Sequence, residues 1–193
     1  LPHAGYVYSG KTAAAGYRVI GTVGKPVINT RLIVILAPSH HSAFRGCSLL
    51  DADYYETPLG KVRLSREAAD DLARDSLYRK NPDAFEREHA VEIQLPFLQR
   101  IFGRRLAGDV RVLPVLVGDV DDGDVKKAAR KLADATAKYN PVFIISSDFT
   151  HYGPNFGYEP FRNTGGQSST VKLKELDGGA IDMILKKDLA GFS

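Results

Sequence analysis

The sequence predicts an α/β protein, built as a three-layer α/β/α domain around a mostly parallel or mixed central sheet. Three apolar runs predict its central strands, at Arg31–Ala37, Val110–Val117 and Pro141–Ile145. Each run is short, rich in valine and isoleucine and almost unbroken, which is typical of strands covered by helices on both faces. Helical segments lie between these runs, and such alternation favours a largely parallel sheet.

Four segments have the features of helices. Ser65–Tyr78 begins with a serine that can cap a helix, and Asp121–Tyr139 has acidic residues in its first turn and basic residues after them. Glu88–Phe102 has apolar residues on one face, and Pro96 is expected to kink or split it. Leu173–Leu185 is the fourth segment. We interpret the basic residues of Asp121–Tyr139 as a solvated helix face and not as a binding patch.

Composition and charge describe a globular domain. The 193 residues are 44% hydrophobic and 25% charged, and 26 basic residues against 23 acidic ones give a net charge of +3. No block of like charge indicates nucleic-acid or membrane binding, and no apolar stretch approaches the roughly 20 residues of a membrane span. The single cysteine, Cys47, favours a reducing compartment, so we expect a cytoplasmic protein with Cys47 as an inert packing residue.

The chain is expected to form one domain, residues 1–193, that is truncated at both ends. Its length is typical of a single domain. Leu1–His3 resembles the end of a strand whose body lies upstream of residue 1, so the sheet is expected to show a gap beside Arg31–Ala37. Gly153–Gln167 is polar and rich in glycine, which predicts a mobile surface loop.

Histidines gather in the segments that follow predicted strands. The first predicted strand runs into His40 and His41, the last runs into His151, and His3 lies where an upstream strand would end. Open α/β sheets form their binding sites just past the carboxyl ends of their strands. Four of the five histidines lie in three such segments. We therefore predict that His3, His40 and His151 share one pocket.

These histidines suit a metal site. Two neutral imidazoles and an anionic ligand, with open positions, suit Fe(II), Zn(II) or Cu(II), and a third histidine nearby suits general acid–base catalysis. Asp148, three residues before His151, can orient an imidazole or ligate a metal; its structural alternative is to cap the loop or the next helix. A serine hydrolase is a weaker interpretation, because Ser39, Ser146 and Ser147 lack a G-x-S-x-G turn.

Other residues near these segments are candidates for lining the pocket. Tyr6 and Tyr152 border the histidine segments, and His41 lies in one of them. Tyrosines at such positions are more often structural. His89 and Glu92 are three residues apart at the start of a predicted helix, where they share one face. A role around the site and a structural capping role are both open for this pair.

Six motifs, in order, resemble the Memo family, which includes the B component of the AmmeMemoRadiSam gene set. The motifs extend over nearly the whole chain, and they lie at Pro2–Gly10, Pro38–His41, Tyr55–Gly60, Glu88–Phe97, Pro114–Gly118 and Ser146–Gly153. Memo proteins resemble class III extradiol dioxygenases in fold, so the resemblance implies a dioxygenase-like fold for this chain.

The resemblance implies a role for each of three histidines. His3 and His40 correspond to the two metal-ligating histidines of the dioxygenases, and His151 falls where those enzymes keep an acid–base histidine. The third ligand is a carboxylate in the dioxygenases and a cysteine in Memo proteins, downstream of the helix that resembles Leu173–Leu185. This sequence ends at Ser193, before such a cysteine. We therefore expect metal binding by this chain to be weak or absent.

The resemblance leaves two classes of function open. One is a mononuclear non-haem iron or copper oxidoreductase with a small oxidisable substrate, in which His151 and Asp148 are catalytic and zinc is an alternative metal. The other is a binding or adaptor protein that reuses the pocket to hold a small molecule or a peptide. A zinc hydrolase fits the histidines but has no support from the family. Because a cysteine ligand changes the electronics of iron, extradiol ring cleavage is not implied.

Overall fold

The computed structural model of the chain describes residues 1–22, 29–161 and 168–192. These residues form two compact units, Leu1–Ser147 and Asp148–Ser193. The first unit contains all of the strands in the described residues, whereas the second contains two helices and the segment before them.

A mixed sheet of five strands forms the centre of the first unit. The strands of the chain are β1 Leu32–Pro38, β2 Cys47–Leu49, β3 Tyr54–Thr57, β4 Gly60–Arg63, β5 Tyr78–Lys80, β6 Arg111–Val117 and β7 Val142–Ile145. The sheet has the order β5-β2-β6-β1-β7, and β3 and β4 form a separate antiparallel hairpin. The pairs β1–β6, β1–β7 and β2–β5 are parallel, whereas β2 is antiparallel to β6. The predicted α/β class with a mixed sheet is confirmed.

The described residues form helices in both units. They are α1 Tyr6–Thr22, α2 Arg66–Leu72, α3 His89–Glu92, α4 Leu95–Phe102, α5 Arg104–Ala107, α6 Asp122–Thr136, α7 Ser169–Lys186 and α8 Leu189–Phe192. Short 3-10 turns lie at Pro82–Phe85, Ala137–Tyr139 and Pro154–Phe156. In the described part of the chain, no helix is both long enough and apolar enough to cross a membrane.

Strand β1 separates two hydrophobic cores, because successive side chains of a strand point to opposite faces of its sheet. Ile33 and Ile35 pack in the core that includes Tyr17 of α1 and Leu98 of α4. The neighbouring Leu32 and Val34 pack in the core that includes Ala68 and Leu72 of α2 and Leu132 of α6. Full burial of one such aliphatic side chain contributes about 1.5–3 kcal/mol. The sheet therefore carries a helical layer on each face, consistent with the predicted three-layer arrangement.

The three predicted strands are present with shifted ends, but one is not central. Strand β7 lies at the end of the described sheet, and its Phe143 and Ile145 are exposed. The predicted gap beside β1 is also wrong, because crossover connections place β6 and β7 on its two sides. The start of the chain lies beside β7 instead, where the amino group of Leu1 donates to the Ile145 carbonyl at 2.6 Å and the Ser147 N–H donates to the Leu1 carbonyl at 3.0 Å.

The predicted helices are present, although one is much shorter than expected. The Ser65 side chain caps α2 by accepting from the Ala68 N–H, but this helix ends at Leu72. The Asp75 carboxylate then accepts from the Leu77 N–H at 3.0 Å. This side chain-to-backbone turn competes with the helix and leads the chain into β5.

The break at Pro96 is confirmed, and the other predicted helices keep most of their length. Glu88–Phe102 is split into α3 and α4, with Pro96 in the first turn of α4. Helices α6 and α7 match the remaining two predictions. Part of the predicted loop Gly153–Gln167 lies outside the described residues.

Helix α1 was not predicted, because Gly5 and Gly10 lower the helix propensity of this segment. The Gly5 carbonyl instead accepts from the N–H groups of Tyr8 and Ser9, at 2.8 and 3.1 Å, and begins the helix. Ala13 and Tyr17, one turn apart on the same face, are buried and anchor it to the core. Tertiary packing thus outweighs the low helix propensity of glycine.

Candidate metal centre

Three imidazoles from separate segments of the first unit form one cluster. His3 precedes α1, His40 follows β1 and His89 begins α3. The ring centroids lie 5.2 Å apart for His3 and His40, 5.8 Å for His3 and His89, and 5.1 Å for His40 and His89. Two imidazoles on one tetrahedral ion have centroids about 5 Å apart, because each nitrogen lies about 2 Å from the metal. The centroid distances of His40 to His3 and to His89 match this spacing, whereas His3 and His89 lie farther apart.

A buried hydrogen-bond network fixes the tautomer of His3. Its Nδ1 lies 3.0 Å from Oγ of Ser146. The Ser146 hydroxyl donates to the Ala90 carbonyl at 2.6 Å and accepts from Nε2 of Gln94 at 2.9 Å. Because a serine hydroxyl has one proton, which goes to Ala90, Nδ1 of His3 must be the donor to Ser146. In the neutral ring Nε2 is then the lone-pair nitrogen, which is the atom that binds a metal.

Gln94 is itself held on both sides. Its Oε1 accepts from the Tyr17 hydroxyl at 2.8 Å, and its Nε2 also donates to the Pro2 carbonyl at 3.1 Å. Ser146, Gln94 and Tyr17 are all buried. A buried polar network whose members are satisfied is rigid, so it holds the His3 ring in one orientation.

The buried carboxylate of Glu88 orients His40 in the same way. Its Oε1 lies 2.9 Å from Nδ1 of His40 and accepts from the Ala90 N–H at 2.9 Å, and its Oε2 accepts from the His40 N–H at 2.7 Å. Burial raises the pKa of the Glu88 carboxyl, but the hydrogen bonds from His40 and Ala90 outweigh it and the pKa lies below its ordinary value. The ionised carboxylate can only accept, so the protonated Nδ1 of His40 donates to it and Nε2 again carries the lone pair.

His89 is the third ring of the cluster. Ligand atoms of His40, Glu88 and His89 all lie within 4.8 Å of one another, but the hydrogen bonds of Glu88 indicate that it orients His40. The His89 side chain is 50% exposed, and its Nδ1 lies 3.6 Å from Oε1 of Glu88. The face of the cluster beside His89 is therefore open to solvent, in contrast with the buried His3.

A cavity of about 300 Å³ adjoins the cluster, with His89 in its wall. Its lining residues come from α1, the tip of the β3–β4 hairpin and the junction of α3 and α4, and they are Tyr6, Thr57, Pro58, His89, Glu92, Ile93 and Pro96. The Tyr6 hydroxyl donates to the Ile93 carbonyl at 3.1 Å. A small ligand in this cavity would contact His89.

The remaining predicted residues lie elsewhere. His41 is exposed, with its ring centroid 6.3 Å from that of His40. His151, Asp148 and Tyr152 belong to the second unit, where Nε2 of His151 lies 3.8 Å from Oδ2 of Asp148. These two atoms are too far apart for a hydrogen bond. The place of these three residues in the shared pocket stays a prediction.

Comparison with protein-family profiles matches residues 1–193 to the family described as Memo-like protein. The chain belongs to the Memo family. It is 34% identical over 194 residues to a MEMO1 family protein of Thermococcus onnurineus, covering 99% of this chain and 65% of the relative. It is 31% identical over 186 residues to Protein MEMO1 of Xenopus tropicalis, covering 95% of this chain and 61% of the relative.

A third Memo-family relative, from Pyrococcus abyssi, is 35% identical over 194 residues, which are 98% of this chain and 64% of that protein. The chain thus spans 65% or less of the length of these three relatives. The predicted membership of the Memo family is confirmed. The relation to extradiol dioxygenases stays a prediction.

The sequence alone does not identify the residues that orient the histidines. Ser146 is a possible nucleophile by residue type, and its position just past β7 is the signal that places it at the site. Glu88 precedes His89 in a motif shared with the Memo family, which marks it as a candidate without assigning its partner. Gln94 has no signal in the sequence, because its role depends on contacts with residues far away along the chain.

Proposed function

We propose that this chain supplies the histidine ligands of a mononuclear metal centre that carries out redox chemistry on a small molecule. His3 and His40 bind the metal through Nε2, with Fe(II) or copper as the resident ion and zinc as the alternative. The proposal is supported by one observation, which is that the two rings are held by hydrogen bonds in the same way. Each commits Nδ1 to a buried acceptor, Ser146 for His3 and Glu88 for His40, and so presents Nε2 for coordination.

The donor set suits these ions. Neutral imidazoles bind iron, copper and zinc well, and bound iron or copper supplies one-electron chemistry that protein side chains lack. The negative charge of Glu88 makes the His40 ring a stronger metal ligand. The family resemblance implies a cysteine as a further ligand, and His89 occupies a position from which it can bind in addition.

The surroundings favour a reactive centre over a structural one. Structural metal sites are closed by protein ligands, whereas catalytic sites keep a position open for water or substrate. Here one wall of the cluster is the half-exposed His89, with the cavity of about 300 Å³ beyond it. In this proposal the cavity holds the substrate, and the family resemblance implies an acid–base role for His151.

Nitric oxide binding to the Fe(II)-loaded, full-length protein tests this proposal. An iron with two or three protein nitrogens and an open position gives a high-spin iron–nitrosyl signal in electron paramagnetic resonance. We expect that signal in the wild type and in His41→Ala, and we expect its loss in His3→Ala and His40→Ala. A full signal in His3→Ala and His40→Ala would contradict the proposal.

A turnover measurement distinguishes an oxidoreductase from a binding or adaptor protein. An enzyme consumes oxygen faster when its substrate is added, and His151→Ala lowers that rate while metal binding is retained. A metal-loaded protein that binds small molecules or peptides and shows no redox turnover would favour the adaptor.

A further inference from the structure

The cavity beside His89 contains a carboxylate that the metal chemistry does not use. We name this cavity, lined by Tyr6, Thr57, Pro58, His89, Glu92, Ile93 and Pro96, the Glu92 pocket. We propose that the Glu92 pocket binds a small ligand that has a protonated amine on an apolar body. This inference rests on the proposed function only in placing the ligand next to a metal.

The charge of the pocket selects against anions. Among the residues that the structure describes, no lysine or arginine lines the pocket. Glu92 lies on the exposed surface of α3 and forms no ion pair with any described residue. The charge of Glu92 repels an anionic ligand and attracts a cationic one. A cation offers Glu92 the partner that the described residues do not.

The other polar groups of the wall are already engaged. The Tyr6 hydroxyl donates to the Ile93 carbonyl, and burial, followed by the charge of Glu92, raises its pKa, so Tyr6 stays neutral. The Thr57 hydroxyl lies 2.7 Å from Oε1 of Gln99 and 3.0 Å from the Gly60 carbonyl. Glu92 and His89 remain as the groups that can recognise a ligand.

The rest of the wall is apolar and firmly placed. The side chains of Pro58, Ile93 and Pro96 and the ring of Tyr6 supply it. The Tyr6 ring packs edge-on against Phe97, with centroids 5.7 Å apart, which fixes its position. Such walls favour a hydrocarbon or aromatic body.

The size of the pocket limits the ligand to a small molecule. A volume of about 300 Å³ is at the lower end of the roughly 300–1,000 Å³ of small-molecule sites. That space suits one ring or a short alkyl chain with its amine. Because His89 belongs both to the pocket and to the imidazole cluster, a ligand in the pocket would lie beside the cluster.

Benzylamine is the probe, with benzyl alcohol and benzoate as counterparts of similar size but different charge. Dissociation constants are measured by NMR titration at neutral pH and low salt, on full-length protein stripped of metal with a chelator so that the amine cannot bind a metal directly. We expect benzylamine to bind more tightly than benzyl alcohol and benzoate to bind weakest. Glu92→Gln should weaken benzylamine about two- to fivefold, the usual value of an exposed ion pair, and leave benzyl alcohol unchanged.

Glu86→Gln is the matched control, because Glu86 is exposed on the neighbouring segment and does not line the pocket. It should leave all three dissociation constants unchanged. Benzoate binding as tightly as benzylamine, or a preference for benzylamine that persists in Glu92→Gln, would overturn the inference. Amine selectivity in a protein whose histidines bind no metal would instead refute the proposed metal centre and leave this inference standing.

Discussion

The Nδ1 atom of His40 lies 2.9 Å from Oε1 of Glu88, whose side chain is completely buried. A buried carboxylate is costly unless it is hydrogen-bonded, and Glu88 accepts hydrogen bonds from the backbone of His40 and Ala90 as well as from the ring. This carboxylate therefore makes Nε2 of His40 the nitrogen that faces a ligand. Ser146 acts on His3 in the same way.

Glu88→Gln is expected to weaken metal binding while keeping the shape of the side chain. The neutral amide lowers the basicity of the His40 ring, and loss of a partner of this kind costs about 10–100-fold in metal affinity. The NH2 group of the glutamine amide would also face a backbone N–H. Two donors then lie opposite each other, so the free energy of unfolding should fall by about 1–3 kcal/mol. Calorimetric metal titration and thermal unfolding measure the two effects. The exposed Glu86→Gln should show neither, and unchanged affinity in Glu88→Gln would contradict the assigned role.

Ser146→Ala is expected to destabilise the protein and loosen His3. The substitution removes the acceptor for Nδ1 of His3 and for Nε2 of Gln94, and it removes the donor to the Ala90 carbonyl. Leaving buried polar groups unpaired costs about 1–3 kcal/mol, and metal affinity should fall about tenfold or more. Chemical denaturation and metal titration check both results. Ser76→Ala, at an exposed serine, serves as the control.

Acid should unfold the protein partly through Glu88. Because the folded-state pKa of its carboxyl is lowered, the stabilisation is fully present above the unfolded value, about 4.3. It is lost as the pH falls through the lower folded value, when protonation weakens the hydrogen bonds from His40 and Ala90. Unfolding free energies measured between neutral pH and about pH 3 should fall less steeply in Glu88→Gln than in the wild type. Equal slopes would show that the pKa of the Glu88 carboxyl is the same in the folded and unfolded states.

Cys47 should react slowly in the folded protein. Burial raises the pKa of its thiol to about 11, although a hydrogen bond with Tyr78 opposes the shift, and the thiolate is the reactive form. A thiol reagent at pH 8 should modify the native chain far more slowly than the unfolded chain. Between about pH 8.5, the unfolded value, and the folded value, the unfolded thiol ionises first, so stability should fall with rising pH. Rapid modification of native protein would show that the thiol is accessible.

The sequence predicts the parts of the fold that are regular enough to leave a pattern. β1 and β6 are runs of seven residues with both faces covered, and composition is sufficient to identify them. β2 and β5 have three residues each, too few for a periodic signal. An apolar run also does not distinguish a central strand from β7, because edge position depends on pairing between distant segments.

The site, like the fold, has features that the sequence predicts and features that it does not. The positions of His3 and His40 past strand ends predict that they lie near each other, and their ring centroids are 5.2 Å apart. The groups that set their tautomers come from far along the chain, 143 residues away for Ser146 and 48 for Glu88. Such partners are fixed by packing and leave no local pattern. The sequence pattern therefore predicts which histidines lie at the site, but it does not predict which nitrogen of each ring faces a ligand.

Metal titration of three single variants under reducing, anaerobic conditions tests the metal centre most directly. His3→Ala and His40→Ala should each abolish binding of Fe(II) or zinc, whereas His41→Ala, at the exposed neighbour of His40, should bind as the wild type does. Binding in the wild type should weaken in acid, because a protonated imidazole cannot ligate. Wild-type affinity in His3→Ala or His40→Ala, or equal loss in His41→Ala, would contradict the proposed ligands.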